Sequence, residues 1–168
     1  MNAVNPVARA ISAGAVVETI AIGANPIGSE GGATLLETIK TSKLKTIDIG
    51  KPLPLQEPYG SDTLDLSNTK MDPGHVLLLS WWLTTEFSAA VARLILSGNP
   101  ITDYGKDLSG FKTLCEALPS LKNPISLELA NCSLKVAEVN ELAQAIHAGA
   151  AVARLSLRGN MITGSTDV

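Results

Sequence analysis

A long internal repeat limits the folds open to this chain more than any other feature. Residues 8–28 align without a gap on residues 143–163, and nine of the 21 positions are identical. Residues 91–102 match residues 152–163 more closely still. A chain that repeats a unit of about 28 residues folds as a stack of small units, each burying its apolar side against its neighbours.

One pattern runs through the copies: apolar, x, x, apolar, x, apolar, x, x, Asn, x, apolar. The alternation at its centre predicts a short strand with one buried face. The ninth position lies where the chain turns, and an Asn or Cys there can bond backbone groups of a neighbouring unit. These ladder positions hold Asn25, Asn99, Cys132 and Asn160. Six registers result, which begin near Val17, Leu44, Ser61, Val91, Pro124 and Val152.

The second and third registers depart from the pattern. Pro52 and Thr69 replace the ladder residue. The starts of these registers are only 17 residues apart, and the prolines between them exclude a helix. The second unit is therefore predicted to return by an extended segment.

Between the strands the apolar period changes from two to 3.6, which predicts helices. Five are expected, near residues 6–13, 30–41, 73–85, 109–118 and 136–147. Asn5, Ser29 and Asp72 are predicted to cap the first three, because each precedes a proline or an acidic residue. The first helix, within residues 1–16, is expected to cover one end of the stack.

A strand, a turn and a full helix in about 28 residues, spelled NPIGSEGGATLLETIKTSKLKTIDI and LELANCSLKVAEVNELAQAI, resembles the ribonuclease-inhibitor-like class of leucine-rich repeats. The resemblance implies an α/β fold in which residues 1–168 form one leucine-rich-repeat domain. This domain would be a curved solenoid of about six repeats, with parallel strands on the concave face and helices on the convex face. Members of the class bind other macromolecules, and one activates a small GTPase. The resemblance transfers no catalytic residue.

By this resemblance we expect a protein-binding scaffold without catalysis, whose partner is another protein bound on the concave strand face. Outward strand positions are acidic in the middle units and basic toward the end. The candidates are Asp48, Asp65, Arg93, Ile95, Glu128, Arg154 and Arg158. Such residues equally suit a strand face that meets only water. Two other functions stay open: a regulator of a small GTPase, which would need an arginine such as Arg93, and a structural subunit of a larger assembly.

The helix expected at residues 73–85 is apolar on nearly every side, so its side chains cannot all face one buried stripe. Two interpretations follow. The surplus apolar surface could fill the gap left by the missing helix of the second unit. Alternatively, Trp81 or Trp82 is exposed on the convex side and anchors a partner, since Trp is enriched at binding hot spots.

Composition argues against several other functions. The net charge is −3 and the basic residues are scattered, so nucleic acid is not an expected partner. The longest apolar run, residues 76–83, is too short to span a membrane. No cofactor or metal is expected, because His75 and His147 lie far apart and suit structural roles. Cys115 and Cys132 are predicted to be core thiols, which favours an intracellular, cytoplasmic protein.

The last register reaches its strand and turn with no helix pattern after them. Its apolar residues Leu155, Leu157 and Ile162 would then lie at an open edge. We expect that the chain continues in its natural form, or that a second copy or another subunit covers this edge.

Overall fold

The computed structural model describes residues 4–163, which form a mixed α/β fold. The helices in this range are α1 (Val4–Ser12), α2 (Gly28–Thr41), α3 (Pro73–Leu83), α4 (Ser109–Ala117) and α5 (Val136–His147). The strands are β1 (Thr19–Ala21), β2 (Thr46–Asp48), β3 (Pro52–Pro54), β4 (Thr63–Asp65), β5 (Arg93–Ile95), β6 (Ile125–Glu128) and β7 (Val152–Ser156). Each of the six predicted registers contains a strand, and β3 is an additional one.

The strands form two sheets. In the larger sheet β4, β5, β6 and β7 lie side by side, and every neighbouring pair is parallel. In the smaller sheet β1 pairs in parallel with β2, and β3 pairs antiparallel with β2. The parallel pairs arise because a helix or a long loop returns the chain to the same end of the sheet before each next strand.

The interruption between β2 and β4 corrects the expectation of parallel strands throughout. After β2 the chain turns at Gly50, whose φ of +127° favours glycine, and returns as β3. Pro52 and Pro54 in β3 lack the backbone N–H that a further strand would need, so the sheet ends there. No helix lies between β2 and β4, as the prolines predicted.

The helices pack against one another in chain order, so α3 lies directly against α2. Glycines allow the helix starts to approach closely. A Cβ atom on Gly32 would lie 2.6 Å from the carbonyl oxygen of Gly74, and one on Gly110 would collide with the carbonyl oxygen of Pro73. Any larger residue at Gly32 or Gly110 would therefore push neighbouring helices apart.

One hydrophobic core cluster extends from α1 to β7. Helix α3 contributes most heavily to it, because nine of its 11 residues are buried. This burial explains why α3 is apolar on nearly every side. Helix α3 packs directly against both α2 and α4, and this extensive burial supports the first of the two interpretations.

The predicted helices agree with the structure to within two residues at each end, but two of the three predicted caps are wrong. Asn5 lies inside α1 and Ser29 lies inside α2, so neither caps a helix. Asp72 does cap α3, because its Oδ1 atom accepts the N–H groups of Gly74 and His75 at 2.9 and 3.3 Å.

Asp72 also holds the start of α2. Its Oδ2 atom accepts the N–H groups of Ile27 and Gly28, both at 2.8 Å. Burial opposes the charge of Asp72, but the backbone hydrogen bonds from Gly28 and Ile27 help to outweigh it, and the pKa of Asp72 is lowered to about 2. The buried His75 accepts the Asp72 N–H at Nδ1 and donates from Nε2 to the carbonyl of Ile22, each at 3.0 Å. Asp72 and His75 therefore tie α3 to the first unit.

The ladder position of the fourth unit works as predicted. Asn99 is buried, and its Oδ1 atom accepts the N–H groups of Thr69 and Met71 at 3.0 and 3.1 Å. Its Nδ2 atom donates to the carbonyls of Leu66 and Leu96 at 2.7 and 2.9 Å. One side chain thus satisfies four backbone groups, three of them in the preceding unit.

Asn160 repeats this scheme in the last unit. Its Oδ1 atom accepts the N–H groups of Cys132 and Leu134, both at 3.0 Å. Its Nδ2 atom donates to the carbonyls of Leu129 and Leu157 at 2.8 and 2.9 Å. Two units thus share one hydrogen-bond arrangement, position for position.

The other two ladder residues differ. The Cys132 thiol donates to the carbonyl of Leu96 at 3.2 Å, which replaces part of what an asparagine would do. Asn25 is exposed, and its side chain donates only to the carbonyl of Gly23 at 3.2 Å within the described residues. Within residues 4–163 no repeat unit precedes the one that contains Asn25, so none of these residues offers it the backbone partners that Asn99 and Asn160 have.

Candidate functional site

The side of the strands that faces away from the core carries most of the predicted site residues, and we call it the strand face. Leu64, Leu94 and Leu127 fill the core side of β4, β5 and β6, and alternate residues point to the opposite side. The strand face comprises Asp48, Asp65, Arg93, Ile95, Glu128, Arg154 and Arg158 together with the serines and threonines between them.

An ion pair crosses the middle of this face. Both the Nε and Nη2 atoms of Arg93 donate to Oε1 of Glu128, at 3.1 and 2.7 Å. The side chain of Glu128 is 18% exposed and that of Arg93 is 49% exposed. The pair is therefore accessible to water, and it fixes the direction of Arg93 more than it stabilises the fold.

Arg154 and Arg158 are exposed on β7 and on the turn that follows it. Neither guanidinium forms a salt bridge within residues 4–163. Arg93, Arg154 and Arg158 together face only Glu128 as a counter-charge on β5, β6 and β7. Among the described residues, this part of the strand face therefore presents a net positive charge, with two arginines that form no salt bridge there.

The two predicted aspartates already have structural partners. Oδ1 of Asp48 accepts the Gly50 N–H at 2.8 Å, and Oδ1 of Asp65 accepts the Ser67 N–H and hydroxyl at 2.9 and 2.6 Å. The hydrogen bonds from Ser67 lower the pKa of Asp65 against the opposing effect of burial. Both side chains hold the turn after their own strand, and the charge of Asp65 is secured at neutral pH.

Ile95 lies on the strand face by alternation, but it offers a partner little accessible surface. It is only 9% exposed, although it does not belong to the core cluster. The register places it between Asp65 on β4 and Glu128 on β6. A partner on this face would meet the charged residues around Ile95 and not Ile95 itself.

Trp82 is not an exposed anchor either. Its side chain is fully buried, its Nε1 atom donates to the carbonyl of Pro54 at 2.9 Å, and its ring meets Tyr59 edge-on at 5.7 Å. Trp81 is partly buried and packs against the core. Both residues therefore belong to the contact between α3 and the core, and Trp82 joins α3 to β3.

Sequence reasoning missed a protruding loop between β5 and α4. Tyr104 is 59% exposed, and both Asp103 and Tyr104 have positive φ angles, 48° and 57°. Together with Lys70 they line a groove of about 940 Å³ along the turns that precede α2, α3 and α4. The only signal in the sequence was the extra length of this unit, which does not reveal a backbone conformation.

The cysteines and acidic residues provide no further chemistry. Both cysteines are buried and free. Burial, assisted by Glu141 and Glu116, raises the pKa of Cys115 to about 12, and burial also raises the pKa of Cys132. Neither thiol is a thiolate at neutral pH, so neither is an activated nucleophile.

Within residues 4–163 no three His, Cys, Asp or Glu side chains could hold a metal ion, and no helix could cross a bilayer.

Comparison with known proteins adds no family to this picture: no protein-family model matches the chain, and no curated protein matches it significantly.

Proposed function

We propose that this chain is a leucine-rich-repeat solenoid of the ribonuclease-inhibitor-like class, and that it binds another protein on its strand face. The observation that carries the proposal is the shared arrangement of Asn99 and Asn160. Each uses one buried or half-buried amide to satisfy four backbone groups at the same pattern positions. Units with this arrangement stack in one direction and leave one strand side free.

The strand face suits a protein partner for two reasons. Its side chains stand on hydrogen-bonded parallel strands, so the backbone beneath them is already ordered before a partner binds. Its charges are also separated, with Asp48 and Asp65 on one side and Arg154 and Arg158 on the other. Such a pattern sets the orientation and the association rate of a partner more than its affinity.

The unpaired arginines identify the part of the face that contributes most. A carboxylate of a partner would meet Arg154 or Arg158 without first breaking an internal ion pair, whereas Arg93 would have to leave Glu128. A GTPase regulator would need a mobile arginine, and Arg93 is the residue held in place. The buried free cysteines agree with the intracellular setting predicted from the sequence.

Affinity capture with matched variants tests this proposal. The wild-type chain, the double variant Arg154→Glu/Arg158→Glu and the control Lys106→Glu/Lys122→Glu serve as baits. Both variants change the charge equally, and both control lysines are exposed outside the strands. A direct partner should bind the wild type and the control, and should bind the arginine variant at least about tenfold more weakly.

A partner that binds all three baits equally would overturn the strand face as the binding site. Asp48→Asn/Asp65→Asn gives a second test of the acidic side, because Asn keeps the oxygen that accepts the turn N–H. Addition of candidate small GTPases to a GTP hydrolysis assay distinguishes the regulatory alternative. Stoichiometric incorporation into one complex, insensitive to every strand-face variant, would support a structural subunit instead.

A further inference from the structure

The two ends of the strand array carry complementary backbone edges. In the larger sheet each strand pairs with the next strand in the same register. The Leu66 N–H donates to the Ile95 carbonyl, and the Leu96 N–H donates to the Glu128 carbonyl, each at 2.8 Å. The next step joins Leu129 N–H to Ser156 O at 2.9 Å. The outer edge of β7 has no strand beside it within residues 4–163, and neither has the outer edge of β1.

The backbone groups at the edge of β1 are those that such a register requires. Glu18 O and Ile22 N–H point toward β2, where they bond Thr46 and Asp48. By alternation along the strand, Thr19 and Ala21 direct their N–H and C=O groups outward. If the pattern continued beyond β7, the Leu157 N–H would donate to the backbone carbonyl of a residue equivalent to Ala21.

Asn25 also lacks the backbone partners that the other ladder asparagines have. A ladder asparagine bonds the unit before its own, and within residues 4–163 no such unit precedes Asn25, whose exposed amide donates to Gly23. Continuation of the scheme of Asn99 and Asn160 by one step would bring its Oδ1 atom to the N–H groups of Asn160 and Ile162. The first and last units share nine of 21 residues, so each presents the kind of surface that the other packs against.

Exposed apolar side chains are concentrated at these two ends. Eight large apolar residues are exposed in the described part of the chain, and all but Tyr104 lie in the first unit or in α5 and the residues after it. They are Val7, Val16, Val17, Val136, Ile146, Met161 and Ile162. Single exposed apolar residues are ordinary on a protein surface, so it is their position at the two ends that bears on association.

We propose that a second copy of this chain docks head to tail, with its α1 and β1 on the β7 end of the first copy. In this arrangement α1 of the second copy takes the place of the helix that follows β7, and its β1 becomes the next parallel strand. The contact continues the strand register and the ladder that already join units within one chain. Because the two surfaces differ, the assembly stays open and grows by addition at its ends.

Sedimentation of the purified chain over a wide concentration range tests this proposal. The average mass should rise with concentration without a plateau at the dimer. Asn25→Ala should weaken association about tenfold, the effect of one or two lost hydrogen bonds. Asn123→Ala is the matched control, since Asn123 is also exposed and also donates one 3.2 Å bond to a backbone carbonyl. The control should associate like the wild type.

A blocked edge gives an independent measurement. Ala21→Pro removes an outward N–H that no strand within the described chain uses, and proline is tolerated at such edges. This variant should no longer extend chains, but its β7 should still bind the wild type, so an excess of it should shorten wild-type assemblies. Circular dichroism checks that each variant is folded, and Asn25→Ala leaves the test intact if Ala21→Pro unfolds. A monomer at all concentrations, a closed dimer, or equal association of Asn25→Ala and Asn123→Ala would overturn the proposal.

Discussion

The two sheets follow one sequence pattern, yet they are held together in different ways. In β4, β5, β6 and β7 the same backbone positions are satisfied again and again by ladder side chains such as Asn99. In β1, β2 and β3 the ladder is absent, and individual contacts from α3 replace it: Trp82 bonds Pro54, and His75 bonds Ile22. A regular unit can thus be stabilised by repetition, whereas an irregular one needs side chains that occur once.

The largest expected effect lies in the irregular region. Trp82→Ala should destabilise the fold by about 4 kcal/mol, because it opens a large cavity and removes the bond to Pro54. Urea denaturation measures this loss. Trp82→Phe should cost clearly less, since it keeps most of the ring volume. A Trp81→Ala variant that costs as much as Trp82→Ala would contradict the assignment of Trp82 as the contact that joins α3 to β3.

The second prediction compares one residue type in the two regions. Asn99→Ala should cost about 3 kcal/mol, because Thr69, Met71, Leu66 and Leu96 lose their partners in a buried site. Asn25→Ala should change the stability of the monomer by less than about 0.5 kcal/mol. Denaturation at low protein concentration measures both. Equal costs would show that the ladder is not what distinguishes the two sheets.

The third prediction concerns Asp72, which bonds the starts of α2 and α3. Its pKa in the folded chain, about 2, lies below the ordinary value of 3.8. The resulting stabilisation of about 2 kcal/mol is present above pH 4 and is lost as the pH falls through about 2. Asp72→Asn should therefore be less stable than the wild type at neutral pH, and the difference should shrink as the pH falls and disappear below about pH 2. A constant difference across this range would refute the charged cap.

The smallest expected effect is on the strand face. Arg93→Met removes the ion pair with Glu128, which is accessible to water, so the stability should fall by less than about 1 kcal/mol. High salt should weaken the pair and reduce the difference between wild type and variant. Thermal unfolding at low and high ionic strength measures both effects. A larger loss would mean that the strand face contributes to the fold as much as the core ladder does.

The sequence predicted the elements well because the pattern has a simple physical meaning. Alternating apolar residues marked a strand in every register, and the prolines after β2 marked the missing helix. The errors concern backbone groups whose hydrogen-bond partners lie far away in the sequence. Ser29 looked like a cap, but the start of α2 is bonded by Asp72, 44 residues away from Gly28. Pattern analysis along one segment does not reveal such a contact.

The candidate site was predicted less completely. Alternation placed Arg154 and Arg158 correctly on an exposed surface, yet it treated Ile95 in the same way. Ile95 lies between two neighbouring strands and is only 9% exposed, which a single-strand pattern does not reveal. For Trp82, composition suggested either burial or exposure, and only the position of β3 decides between them.

Amide hydrogen exchange measures whether the ladder asparagines hold the turns of the repeat. The N–H groups of Thr69, Met71, Cys132 and Leu134 lie in turns outside the strands, and their acceptors are the side chains of Asn99 and Asn160. We predict that all four amides exchange slowly in the wild type, and that Asn99→Ala releases the protection of Thr69 and Met71 first. Rapid exchange of these four amides in the folded wild-type chain would contradict a ladder-stabilised repeat.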